Sequence, residues 1–403
     1  MPRLDGFDFV ELRRWCNRVA PWQLPAGPGD FFAERGDAHL AKQSLPKVRP
    51  DDPLVQRFLH ENQRTTFPFA MDYPIGSRWV ARFDRVAIRS DFFLFGDDNH
   101  LIAEAYHGRT LCQKVLHAHP EFHQDVLTIE GHGAKGQVPL YVYTTAQNPE
   151  SLRNDNGFVI MGSRCADNYW HWITEVLPRA WILEELPALA GRTLIYPELK
   201  TAFQRDSLAA IGIDPANVRQ VKAPAEVTVD NAVVPSMLSP GGYGPAIPAW
   251  YRRRLGLARA HEQADKTRRR LFISRGAATR RLIEDEARLY AAVAPLGFEY
   301  LVPDKLSFAE QVALFASAEV VIGAMGSNLT NVIFARPGTK VIEIAHEKLF
   351  AKYIWFISNA CGHAYNIYVG SAVPGAGDAT AWNIRIDPKD FVGFVESALA
   401  QTS

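Results

Sequence analysis

The sequence predicts an α/β fold of two domains, each built on a parallel sheet. Three observations predict it. The chain has 403 residues with 47% apolar content, enough to bury two full cores. Short apolar runs alternate with helical patterns through both halves. Small or polar residues follow directly on those runs, where an open parallel sheet binds its ligands. The first domain is expected over 1–240 and the second over 250–403, with Gly241-Gly242-Tyr243-Gly244-Pro245 in the crossing between them.

Residues 20–75 carry Pro21, Pro25, Pro28, Pro46, Pro50 and Pro53 and read as an irregular lead-in. Strands are expected over 79–83, 85–88, 92–95 and 101–105, with Gly96-Asp97-Asp98-Asn99 as a turn, giving a β-meander at the edge of the first domain. A buried strand over 157–161 leads into a helix of about five turns over 167–185. A strand over 192–196, a helix over 202–211 and a strand over 227–234 complete that half.

The second half alternates more clearly. Strands are expected over 271–274, 298–302, 319–322 and 340–344, and helices over 281–294 and 307–317. The latter opens with a capping box, Ser307-Phe-Ala-Glu310, whose hydroxyl and carboxylate each satisfy a backbone N–H of the first turn. The loop Gly323-Ala-Met-Gly-Ser-Asn-Leu-Thr-Asn331 joins an apolar strand to a short helix, so its backbone N–H groups suit an anion such as a diphosphate. Apolar strands with crossover helices imply right-handed parallel connections, and two such domains in tandem form a cleft.

Charge and cysteine content exclude several classes. Forty-four basic residues balance 44 acidic ones, so no global field draws the chain to nucleic acid. Arg252-Arg253-Arg254 and Arg268-Arg269-Arg270 read as solvated faces or strand flanks, with a membrane-surface or acidic-acceptor contact as the alternative. Cys16, Cys112, Cys165 and Cys361 have no metal-ligand spacing and form no disulfide framework. With no signal-peptide core and no long apolar run, a cytoplasmic protein is expected, peripheral membrane association being the alternative.

Two constellations could carry chemistry. Ser274, Arg275, Arg280, Arg281, Gly326, Ser327, Asn328 and Glu343 fall after or at strand ends; the arginines suit a diphosphate and the carboxylate a ribose diol. The blander alternative has Arg280 and Arg281 as surface charge and Glu343 paired with Lys340. In the first half, Asp167, His171, Glu175 and Arg179 recur at a spacing of four, on one helix face. A histidine one turn from a carboxylate suits a general base. A plain salt-bridge stripe is the alternative, Trp170 and Trp172 being either a sugar-stacking wall or core. Pro178 predicts a kink near Thr174 that moves Arg179 off the stripe.

These two blocks together resemble the glycosyltransferase 61 family. The resemblance covers roughly 79–343 and rests on Asn168-Tyr-Trp-His171-Trp-Ile-Thr-Glu175-Val-Leu-Pro178-Arg179 and on an ordered set: Ser274-Arg275, Arg280-Arg281 with Glu284 and Glu286, Phe308 and Gln311 before Ala318, Leu329-Thr-Asn331, Phe334, Pro337-Gly338 and Val341-Ile-Glu343. Bacterial members of that family occur among capsule and exopolysaccharide genes, and this chain looks like one of them. The resemblance implies a GT-B fold: two Rossmann-like domains with parallel sheets facing across a cleft, plus an N-terminal β-rich extension. It implies an inverting, metal-independent transfer of a hexosyl or pentosyl unit from a nucleotide-diphosphate donor, UDP-linked, to a hydroxyl of a glycan or lipid-linked glycan, with no cofactor.

In that scheme His171 or Glu175 deprotonates the acceptor. Ser274, Arg275, Arg280, Gly326, Ser327, Asn328, Asn331 and Glu343 bind the donor, and Asn168, Trp172 and Arg179 lie on the acceptor side. No Asp-x-Asp metal motif stands out, Asp97-Asp98 reading as a turn. The family loop reads Gly-Pro-His-Gly-Ala-Gly-Leu-Thr-Asn, whereas here Met325 replaces the histidine, Ser327 the alanine and Asn328 the second glycine. Two alternatives follow: a specialised donor site, or a non-catalytic nucleotide-sugar or glycan-binding protein on a degenerate scaffold. A nicotinamide-dependent oxidoreductase is disfavoured, because no GxGxxG follows a strand.

Overall fold

The computed structural model describes residues 150–400 apart from 224, 240–242, 265–267, 277, 350 and 352, together with 78–90, 92–96 and the strand segments 17–18, 30–33, 126–129 and 138–141. The described residues fall into two compact units, which part in sequence between 242 and 243. Most of the expected lead-in over 20–75, the turn at Asp97-Asp98 and the strand over 101–105 lie outside the described residues. Among the described residues no helix is long and apolar enough to cross a membrane.

The strands of the first unit are β1 (Asn17–Arg18), β2 (Asp30–Ala33), β3 (Trp79–Ser90), β4 (Phe93–Phe95), β5 (Val126–Ile129), β6 (Val138–Tyr141), β7 (Glu150–Leu152), β8 (Phe158–Ile160), β9 (Thr193–Pro197), β10 (Arg219–Val221) and β11 (Ala225–Pro235). Its main sheet has the order β1-β2-β3-β11-β8-β9-β10, with β4 on β3 and β7 on β11, while β5 and β6 pair separately. This sheet is mixed, where a parallel one was expected. Strands β11, β8, β9 and β10 run parallel, but β11 is locked antiparallel to β3 along nearly its whole length. The two strands expected over 79–88 are thus one, and it lies inside the sheet, between β2 and β11.

Burial along β11 alternates from Ala225 to Asp230, where β7 pairs with it, and turns continuous from Ala232, where β8 does. A strand with one covered face alternates; one covered on both does not.

The helix expected over 167–185 is broken into four pieces. A single α turn (Tyr169–His171) passes into a π segment (Trp172–Val176), a 3-10 segment (Leu177–Ala180) and a last α turn (Trp181–Glu185). Pro178 has no N–H to give the ladder, and the chain upstream widens to i→i+5 bonding to absorb the mismatch. The Thr174 hydroxyl also donates to the Trp170 carbonyl, 2.8 Å, which loosens the ladder further.

The second unit holds β12 (Arg269–Ile273), β13 (Phe298–Leu301), β14 (Ala318–Ala324), β15 (Lys340–His346), β16 (Ala364–Val373) and β17 (Asn383–Arg385), in the order β13-β12-β14-β15-β16-β17. β13 to β16 are parallel and β17 closes the edge antiparallel. Helices Glu286–Val293, Phe308–Ala316 and Tyr353–Cys361 and the 3-10 segment Ser327–Phe334 make the crossovers. Phe272, Ile322, Ile342 and Ile344 pack under Leu289, Val293, Phe391 and Val395, joining sheet to helices. The capping box forms as expected: the Ser307 hydroxyl accepts from the Glu310 N–H and the Glu310 carboxylate from the Ser307 N–H.

The helix expected to start at 281 starts at Glu286 instead. Arg281 and Asp285 both take left-handed backbone (φ 57° and 52°), and the Glu284 N–H donates to the Ile384 carbonyl. Tertiary pairing to the β17 region overrides local helix preference there.

Strand order fixes where a ligand can enter this unit. The chain leaves β12 for β13 on one side and returns to β14 on the other, so the crossovers part above the carboxyl ends of β12 and β14. That reversal is the point at which open parallel sheets bind ligands. Ser274 and Arg275 follow β12 there, and Met325 and Gly326 follow β14.

Candidate active site

In the first unit the turn after β8 delivers His171. Asn168 caps the turn, its side-chain oxygen accepting from the Trp170 N–H at 2.9 Å, so this predicted acceptor-side residue has a structural duty. His171 Nδ1 lies 2.8 Å from Glu175 Oε1, and Glu175 is buried. Burial alone would lower the imidazole pKa, but the Glu175 charge and hydrogen bond outweigh it and raise the pKa. Arg164 opposes that rise and Asp167 supports it. With Nδ1–H directed at the carboxylate, Nε2 is the basic nitrogen. The couple therefore stands where the spacing of four placed it, one π turn notwithstanding.

The rest of the stripe dissolves. Asp167 is exposed and precedes the helical turn. Arg179 is wholly buried and donates from Nη1 to the Pro235 carbonyl at 2.7 Å, tying the helical segment to the end of β11. Trp172 is also fully buried; its Nε1 donates to Ser207 Oγ at 2.8 Å, and it packs against Tyr196 and Phe203. Neither the surface stripe nor the sugar-stacking wall survives for these two residues, because both face the core. The 3.6-residue period gave their direction, but not what covers them.

In the second unit Arg275 is nine-tenths buried, and its Nη1 donates to the Met325 carbonyl at 2.8 Å, linking the tip of β12 to the tip of β14. Its Nε has no hydrogen-bond partner. Burial first, then the charges of Arg281 and Arg280, lower this guanidinium to about 10. A methyl group on Gly326 would lie 1.4 Å from Arg275 Nη1, so the glycine makes room for the guanidinium. Ser274 is buried: its hydroxyl accepts from the Gly276 N–H, and its carbonyl accepts from Asn328 Nδ2 at 3.3 Å. Ser327 and Asn328 are half-buried at the start of the 3-10 segment, and Arg280 is exposed.

Asn331 departs from expectation. It is fully buried and donates to Gln311 Oε1 at 2.8 Å, fastening the 3-10 segment to helix Phe308–Ala316. Its bonds to Gln311 and to the Asn328 carbonyl make it a strut. Glu343 is buried on β15, with the Tyr365 hydroxyl donating to its Oε2 at 2.6 Å and no partner for Oε1. Burial raises its pKa to about 8, against the opposing Tyr365 hydrogen bond and the Arg281 charge. It does not pair with Lys340, whose ammonium donates to the Leu399 carbonyl.

Two residues of this centre, His346 and Tyr365, lay outside the sequence reading, which had placed a third, Arg281, among the arginines suited to a diphosphate. Arg281 has an unpartnered Nε and faces Glu343 electrostatically. His346, at the end of β15, is fully buried, its Nδ1 accepting from the Lys348 N–H at 3.3 Å. Tyr365 approaches from β16. Arg281 was visible beside Arg280, but the other two depend on strand pairing that no local pattern announces. Among the described residues no three His, Cys, Asp or Glu side chains converge to hold a metal ion.

The class these features define is an α/β protein with a hydrogen-bonded histidine–glutamate couple after a parallel strand in one unit and a strand edge in the other where buried arginine and carboxyl groups keep unmet hydrogen-bonding capacity. Residues 169–342, from the turn that carries His171 to β15, match the family model described as Glycosyltransferase 61, which supports a glycosyltransferase. No curated protein matches the chain.

Proposed function

We propose that the protein is an inverting glycosyltransferase of GT-B type that moves a sugar from a nucleotide diphosphate, UDP-linked, to a hydroxyl of a glycan or lipid-linked glycan in polysaccharide biosynthesis. The observation that carries this reading is the His171–Glu175 couple inside the segment that matches the family. His171 Nε2 takes the acceptor proton as the acceptor oxygen bonds to the anomeric carbon, and the carbon–oxygen bond to the diphosphate breaks with its electrons leaving on the phosphate. Glu175 fixes the tautomer and carries the compensating charge.

On the donor side, Arg275, Arg280 and Arg281 offset the negative charge that develops on the leaving diphosphate, with the N-terminal end of Ser327–Phe334 beside them. Glu343 Oε1, which has no hydrogen-bond partner, meets a ribose hydroxyl, as donor while the carboxyl is protonated and as acceptor once it ionises. No metal is needed in this scheme, because three arginines supply the countercharge.

Consumption of a panel of nucleotide sugars by the full chain, with glycan acceptors and with or without a chelator, tests the proposal. Turnover that survives chelation and gives the inverted anomer by NMR is expected. A second reading, a nucleotide-sugar or glycan-binding protein without turnover, is favoured by Met325: its buried side chain stands where the family places a histidine. Nucleoside-diphosphate binding with no turnover over the whole panel would establish that reading instead.

A further inference from the structure

Residues 161–168 connect β8 to the turn that carries His171. The segment leaves the carboxyl end of β8, between the parallel strands β9 and β11, an edge where parallel sheets receive ligands. Three arginines are buried among the described residues of this unit. Arg89 pairs with Glu226 at 3.2 Å, and Arg179 donates to the Pro235 carbonyl. Arg164 has neither kind of partner: it is 7% exposed, and both Nε and Nη1 are buried without a hydrogen bond.

Its guanidinium lies over the Phe93 ring, 5.4 Å from the centroid, which holds the plane in place and leaves the N–H groups directed elsewhere. Beside it Ser163 is buried with its hydroxyl also unpartnered. A buried guanidinium without a counterion is costly, and the cost is relieved by an anion that brings its own lone pairs. A planar cation with open N–H donors matches carboxylate and phosphate oxygens.

We propose that Arg164 recognises an anionic group, a carboxylate or a phosphate, carried by the acceptor next to the hydroxyl that His171 deprotonates. The proposal rests on the reading of His171 as the base of glycosyl transfer. It also explains why a cation sits near a base at all. Alone, Arg164 works against protonation of His171. With an anion seated on it that opposition is cancelled, so His171 becomes a stronger base when the matching acceptor is bound and a weaker one otherwise. The unit then selects acidic sugars over neutral ones by both binding and reactivity.

Methyl glucuronide, glucose 6-phosphate and methyl glucoside, titrated onto the full chain by NMR, form the test. At least one acidic sugar is expected to bind roughly tenfold or more tightly than the neutral glucoside, and the tighter of the two names the anion. Arg164→Gln brings that ratio to about one and Arg164→Lys leaves part of it, while affinity for uridine diphosphate stays unchanged in both. Equal affinity of the wild type for all three sugars, including no detectable binding of any, overturns the proposal. So does an Arg164→Gln variant that loses uridine diphosphate, since the arginine then serves the donor. The wild-type ratio needs no variant to fold. Full turnover by His171→Gln would remove the base while leaving the anion preference standing, so the two readings fail separately.

Discussion

The His171–Glu175 couple of the first unit and the strand edge of the second treat polar groups at the carboxyl end of a sheet in opposite ways. In the first, His171 and Glu175 satisfy each other across 2.8 Å, and the couple is complete without a ligand. In the second, Arg275 Nε, Arg281 Nε and Glu343 Oε1 are all buried and unpartnered. A finished pair holds a proton-transfer group at a set basicity. An unfinished set stores unmet hydrogen-bonding capacity that a ligand can claim, since such groups are costly only while unmet. The first centre is therefore read by turnover and the second by affinity, and variants on the two sides are expected to separate along that line.

The largest effect is expected at His171. His171→Gln removes the general base and lowers kcat about 10²–10⁴-fold in a nucleotide-sugar consumption assay, with little change in uridine diphosphate affinity measured by calorimetry. Glu175→Gln keeps the imidazole but not its charged partner, so the lower limb of the pH–rate profile shifts toward lower pH as the imidazole pKa falls. Equal losses of affinity and turnover in both variants would erase the contrast between the units.

Next comes Gly326→Ala. Its methyl group would sit 1.4 Å from Arg275 Nη1, so the guanidinium must leave the Met325 carbonyl. Uridine diphosphate affinity is expected to fall roughly 10–100-fold, the span of one or two charge-assisted hydrogen bonds. A variant that binds as the wild type does would show that Arg275 is a brace between β12 and β14 and not a ligand.

Asn331→Ala separates struts from ligands in the same unit. It strands Gln311 Oε1 in the core and is expected to cost about 1–3 kcal/mol in denaturant unfolding, with no change in nucleotide affinity. A loss of affinity at unchanged stability would restore Asn331 to the donor site.

That residue also shows where sequence reading stops. What depends on chain neighbours was legible: the Ser307 and Glu310 capping box, the apolar run of β14, and the pairing of His171 with Glu175 one turn on. What depends on a partner far along the chain was not. Trp172, Arg179 and Asn331 were assigned to ligands because polar and aromatic residues in a motif read that way, yet Ser207, Pro235 and Gln311 hold them inside. Arg281 and Asp285 could not be seen to leave the helical region, because the contact that turns them comes from Ile384, about a hundred residues later. Tyr365 and His346 joined the site only through the β14-β15-β16 register.

The effect that appears only on changing pH compares the two carboxylates directly. Glu343 titrates at about 8 when folded, up from 4.5, because burial disfavours its charge more than Tyr365 and Arg281 favour it. Between those values the unfolded chain has lost this proton while the folded chain keeps it. The unfolded state binds fewer protons, so stability falls as pH rises through that window and levels off above about 8. Glu343→Gln cannot ionise and keeps an acceptor for the Tyr365 hydroxyl. Its melting temperature should therefore exceed that of the wild type at pH 9 and match it near pH 4.5. The His171 imidazole, also raised, contributes stability that is present below its ordinary 6.5 and lost as pH climbs past its folded value. Glu175→Gln should flatten only that window. If Glu343→Gln instead melts below the wild type at pH 9, the ionised carboxylate is the stabilising form. Its neighbours would then form a charge-compensated core, and the unmet capacity that distinguishes this strand edge from the His171–Glu175 couple would be smaller by one group.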